Sequence, residues 1–142
     1  MSELSKRSLE FGRNVNLERL DNEKWNSVLE HEFFKNVRKK ELFLLSVAIG
    51  YKAGIKLELK ESYPAINFGR ISEEQKYILG AFGLAELGED SLKKDGENNI
   101  KNEAAMYAKG GFDIIKKIIE DNPDPMDAAD EIIMKIKELK GE

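Results

Sequence analysis

The chain contains no cysteine, which excludes disulfides, iron–sulfur clusters, zinc fingers and thiol catalysis together. It has one histidine, His31, so a two-histidine metal site is excluded as well. No apolar run reaches about 18 residues and the N-terminus lacks a signal-peptide pattern, so the expectation is a soluble cytoplasmic protein without a membrane role. Phosphate loops, dinucleotide fingerprints, G-x-S-x-G elbows and H-E-x-x-H metal motifs are also missing. These absences leave no catalytic constellation. The reading is of a protein that is not an enzyme and needs no cofactor.

What is present suits one domain. The 142 residues are 41% apolar, enough to build one sizeable core. With 27 acidic and 23 basic side chains the net charge is −4, which argues against wholesale polyanion binding. The charge is unevenly spread. Residues 1–60 hold 12 basic and 9 acidic groups, whereas residues 61–142 hold 11 and 18. The bias is sharpest over 35–60, where Lys35, Arg38, Lys39, Lys40, Lys52, Lys56 and Lys60 face only Glu41 and Glu58. Three bases at the start of a helix oppose its dipole at a cost of about a few tenths of a kcal/mol. An anion to bind would account for that placement, and so would a solvated basic face. Arg38, Lys39, Lys40, Lys52 and Lys56 are the candidate phosphate-contacting residues.

The expected architecture is mainly α: a compact orthogonal bundle of five or six helices around a buried central helix at 39–53. Residues 1–20 read as a partly ordered arm and 21–142 as a single helical domain. Trp25, Val28, Leu29, Phe33 and Phe34 follow helical spacing after Asp21 and Asn22. From Lys39 to Ala53 apolar residues cover nearly the whole helix circumference, as in a helix buried on most sides, and Gly54 suits its left-handed end. Ile55, Leu57 and Leu59 alternate with charged residues, and Ile66 and Phe68 alternate too, which permits a short β-hairpin within 55–71. Ser72-Glu-Glu-Gln75 is a capping box opening a helix that ends at Gly88. Asp90–Lys94 suits one further turn, and the following Gly, Glu and Asn residues read as loop. A helix from about Ile100 to Ile119 comes next. Asp124 and Pro125 cap a last helix that buries Ala129, Ile132, Ile133, Ile136 and Leu139.

Four further features bear on chemistry. His31 lies between Glu30 and Glu32, where a carboxylate could orient a general base, but such a histidine usually sits on the surface. Asp124, Asp127, Asp130 and Glu131 fall at one-turn spacings and could share a divalent cation, although acids near a helix start are stabilised by the dipole alone. Gly80-Ala-Phe-Gly83 has the lettering of a nucleic-acid clamp, yet sits inside an apolar helix rather than an exposed loop. Ala104, Ala108 and Gly111 form a smooth stripe that admits close approach of another helix.

Three stretches together carry a resemblance: Glu41-Leu-Phe-Leu-Leu-Ser-Val-Ala-Ile-Gly-Tyr-Lys-Ala-Gly54, Leu84-Ala-Glu-Leu-Gly-Glu-Asp90 and Tyr107-Ala-Lys-Gly-Gly-Phe-Asp-Ile-Ile115. In this order and spacing they resemble a small protein family associated with Dnd systems, the prokaryotic DNA phosphorothioation islands. The resemblance spans roughly residues 35–139. It implies context rather than chemistry, because the family brings no catalytic residues with it. In the family pattern the glycine matching Gly54 is often followed by a basic pair, whereas Ile55-Lys56 follows here. The resulting expectation is an accessory protein of DNA phosphorothioation or phage defence, binding the DNA backbone weakly, other defence-system proteins, or both. A second reading is a pure protein-interaction module, a homodimer packed through the Ala104–Ala108–Gly111 stripe. A third is a metal-dependent hydrolase using Asp124, Asp127 and Asp130.

Overall fold

The computed structural model describes residues 11, 14–67, 71–93 and 96–141. Its first regular element is a strand, β1 (Asn14–Glu18), followed by helices α1 (Asn22–Leu29) and α2 (Lys39–Ala53). A second strand, β2 (Ser62–Asn67), precedes α3 (Glu73–Leu87), α4 (Gly96–Asp121) and α5 (Pro125–Leu139). Short 3-10 turns occupy Arg19–Asp21, Glu32–Phe34 and Glu89–Leu92. The mainly helical class, the central helix and the small antiparallel sheet agree with the sequence reading.

The core is the crossing of α2 on α4, the most extensive contact between elements. Leu42, Phe43, Val47 and Ile49 of α2 meet Ala104, Ala108, Phe112 and Ile115 of α4, all buried. Glycine makes the crossing tight. A Cβ built on Gly111 would lie 1.8 Å from the Ser46 carbonyl oxygen, and one on Gly50 would lie 2.0 Å from that of Tyr107. The Ala104–Ala108–Gly111 stripe is therefore covered by α2 of the same chain. The smooth stripe thus serves the internal crossing and is not available as the seam of a homodimer packed through it. At the same α4 position, Trp25 of α1 stacks on Phe112 with ring centroids 4.2 Å apart.

The sheet shows what sequence spacing left open. β2 lies within 55–71, but its partner comes from Asn14–Glu18 and not from the alternating Ile55–Lys60 segment. Val15 and Leu17 turn inward while Asn14 and Asn16 face solvent, the two-residue period of a strand with one buried face. Register runs Val15↔Ile66, Asn16↔Pro64 and Leu17↔Tyr63, leaving Ala65 as an extra residue. Pro64 is tolerated because a two-stranded sheet consists of edges. The expected arm over 1–20 thus contains a strand at 14–18. Residues 1–10, with Leu4 and Leu9, lie outside the described residues, as does Phe68.

Buried Glu18 ties the sheet to the helices. Its carboxylate accepts the Lys60 and Glu61 backbone N–H groups at 2.6 and 2.8 Å and the Lys109 ammonium at 2.9 Å. These donors, Lys109 foremost, hold its pKa down to about 2. Lys109 also donates to the Glu58 carbonyl, so one ion pair fastens β1, the 58–61 loop and α4.

Two helices depart locally from expectation. α4 begins at Gly96 rather than near Ile100, because Gly96 and Glu97 are buried against the Ser91 turn and packing overrides the loop-like composition. In α5 the inward stripe runs through Ala128, Ile132, Ile136 and Leu139; Ile133 lies one residue off it and is half exposed.

Candidate interaction surface

The five candidate phosphate contacts do not form one patch. Arg38, Lys39 and Lys40 stand at the start of α2, whereas Lys52 and Lys56 stand at its end, about 20 Å away along the axis. Lys39 is half-buried, with its ammonium 3.2 Å from the Asn22 side-chain oxygen, and desolvation holds its pKa below the usual lysine range. Lys56 pairs with Glu103 at 2.8 Å, which pushes its pKa up, and lies 5.9 Å from the Tyr107 ring centroid. Arg38 and Lys52 are exposed. At the α2 N-terminus the Arg38 N–H donates to the Glu41 carboxylate at 2.9 Å, so a side chain of the helix already supplies the negative charge there.

The remaining candidates are structural. His31 Nδ1 accepts the Phe33 N–H at 3.1 Å. Its Nε2 lies 3.0 Å from the Asn122 carbonyl oxygen, so it carries the proton and donates. The ring caps one 3-10 turn and clips it to the α4–α5 junction, 91 residues away in sequence. The Asp124 carboxylate accepts the Met126 and Asp127 N–H groups at the start of α5. Among the described residues no three acidic or histidine side chains gather where they could hold a metal ion. In Gly80-Ala-Phe-Gly83, Gly83 gives room to Ile100, whose side chain a Cβ would meet at 2.6 Å.

The feature that stands apart is α3. Its capping box forms as the sequence requires, with Ser72 and Gln75 exchanging hydrogen bonds of 2.9 and 3.1 Å. The helix nevertheless buries only Leu79, Gly80 and Gly83, resting on the Glu89–Leu92 turn and α4. Glycine at two of these three positions lets neighbours approach but contributes no side-chain burial. The opposite face carries Tyr77, Ile78, Ala81, Leu84 and Ala85, spaced i, i+1, i+4, i+7 and i+8. Tyr77 is 67% exposed, Ile78 59% and Leu84 45%, whereas an ordinary surface helix turns polar residues outward.

No charged residue occurs between Lys76 and Glu86, so the uncharged face extends over about 13 Å of helix. Its ends are acidic: Glu73 and Glu74 at one, Glu86, Glu89 and Asp90 at the other. Along one flank Phe82 meets Tyr51 and Tyr107 edge to face, with centroids 5.5 to 5.8 Å apart across the trio. The Tyr107 hydroxyl donates to Glu86 at 2.7 Å, and this bond with burial pushes its pKa up to about 12. The trio fixes the side of the helix on which the exposed face begins.

A groove of about 750 Å³ between α4 and α5 is lined by Ile114, Ile118 and Met134 together with charges of both signs. Among the described residues no helix is long and apolar enough to cross a membrane. The capping box and Gly88 mark where this helix begins and ends, but not that most of its apolar residues face outward. The available signal was the pair of glycines on its inward face. No protein-family model matches the chain, and no curated protein or solved structure shows significant similarity to it.

Proposed function

We propose that this protein is a non-enzymatic binding module that docks a protein partner on the outward face of α3. The observation that carries the proposal is the run of Tyr77, Ile78, Ala81, Leu84 and Ala85 left facing solvent on a well-capped helix. A contiguous apolar surface with polar residues at its ends is the usual mark of an interaction site. Tyrosine at its edge adds the residue type most enriched where partners bind. The resemblance to the Dnd-associated family supplies the proposed setting, a partner within a DNA phosphorothioation or phage-defence system in the cytoplasm. Direct DNA-backbone contact is the weaker part of that setting, because Lys39 and Lys56 are engaged within the fold and the two basic ends of α2 lie far apart.

Site-specific photocrosslinking in the cells that make the protein tests the reading. A benzophenone side chain at Tyr77 or Leu84 is expected to give one discrete protein adduct, absent when the probe replaces Glu120 on α4. Absence of adducts from both α3 positions, or the same adducts from all three, overturns it. DNA adducts from probes at Arg38 and Lys52 with none from α3 would restore the nucleic-acid reading.

A further inference from the structure

The acidic ends of α3 say what kind of partner its apolar face accepts, if that face is a docking site as proposed above. Over Glu73–Lys93 five acids stand against two lysines; Lys76 pairs with Glu73 at 3.4 Å and Lys93 with Asp90 at 3.1 Å, which leaves each end of the helix net acidic. Glu74 and Glu89 are exposed and stand before and after the uncharged run, one in the first turn of α3 and the other just past its last residue. A second copy of the chain fits this layout poorly. A two-fold axis across the helices sets the Glu73–Glu74 end of one copy against the Glu89–Asp90 end of the other. An axis along them sets each acidic end against itself. Either arrangement brings like charges together at both rims. An anionic membrane surface meets the same repulsion. From this charge layout we infer that the occupant is an amphipathic helix of a different protein, with an apolar stripe three turns long and lysine or arginine at both ends. The stripe packs on Tyr77, Ile78, Ala81 and Leu84, and its basic ends meet Glu74 and Glu89.

Two synthetic peptides of about four turns test this, sharing one leucine and alanine stripe and ending in either lysines or glutamates. They are titrated into the ¹⁵N-labelled full-length chain and followed by NMR. The lysine-ended peptide is expected to bind at least tenfold more tightly, to shift the Tyr77–Leu87 amides, and to lose its advantage as salt is raised. Ile78→Glu weakens both peptides, and Glu74→Lys with Glu89→Lys levels or reverses the preference. Equal affinity for the two peptides overturns the inference while leaving the docking reading intact. Failure of both to bind overturns it too, and the crosslinks then decide the docking reading separately. Self-association in sedimentation equilibrium that Ile78→Glu abolishes would make a second copy the occupant. Co-sedimentation with anionic vesicles through the same face would make it a membrane. Either result overturns the inference.

Discussion

Replacing Gly111 by alanine pits helix propensity against packing, and the structure says which wins. Within α4 the change gains about 1 kcal/mol, because glycine is the poorer helix former. The new methyl would lie 1.8 Å from the Ser46 oxygen and 2.7 Å from the Gly50 nitrogen. Both are backbone atoms of α2, so no side chain can rotate aside. Relief requires the two helices to separate by about 1.5 Å at the crossing, and gaps of that order forfeit most of the dispersion energy of the affected contacts. The Leu42, Val47, Ala104 and Ala108 packing lies on either side of the crossing and loosens with it. Gly111→Ala is therefore expected to lose a net of about 3 kcal/mol, a large part of a typical domain's stability. Urea unfolding followed by circular dichroism reads this as a lower midpoint at unchanged slope. Gly54→Ala is the control: its methyl meets nothing within 4 Å, and only the +72° backbone angle costs, about 1 to 2 kcal/mol. A Gly111→Ala protein as stable as the parent would refute the close crossing.

The Glu18 and His31 contacts give two more tests. Because donors hold the Glu18 pKa near 2 against an ordinary 4.5, its contribution is present above about pH 4.5 and is lost as pH falls toward 2. That contribution is at most about 3 kcal/mol, and Glu18→Gln is expected to lower stability at pH 7 by a similar amount, stranding the Lys109 charge. Urea midpoints from pH 7 down to pH 2.5 check this; a Glu18→Gln midpoint equal to the parent's at pH 7 would contradict it. His31→Ala removes the acceptor for Phe33 and the donor to Asn122, and should cost about 1 to 2 kcal/mol by the same assay. No loss would show that the clip contributes nothing.

How much of this was legible in the sequence follows the range of the interactions. The bounds of α2 and the caps of α3 and α5 depend on groups within four residues: Gly54, Ser72 with Gln75, and Asp124 with Pro125. They could be read directly. The pairing of Asn14–Glu18 with Ser62–Asn67 depends on where α1 and α2 return the chain, and alternation alone does not name a partner. Glu18 is the sharpest miss, because a charged residue reads as surface until Lys109 and two backbone N–H groups converge on it. The basic residues of α2 illustrate the opposite error. Composition grouped them, while a rise of about 1.5 Å per residue sets them at opposite ends. The ends of α3 could be read from its capping box and Gly88, but which face the fold covers is decided by α4 and the Glu89–Leu92 turn.

The neighbours Ile78 and Leu79 test the central claim most directly, since they differ in exposure from 59% to 1%. If the outward face of α3 is a docking surface and not core, Ile78→Glu keeps the unfolding free energy within about 1 kcal/mol of the parent, whereas Leu79→Ala loses about 2 to 4 kcal/mol. The same Ile78→Glu protein, still folded, should abolish the Leu84 crosslink to its partner. An Ile78→Glu protein that unfolds as readily as Leu79→Ala, or that keeps the crosslink unchanged, would contradict the account.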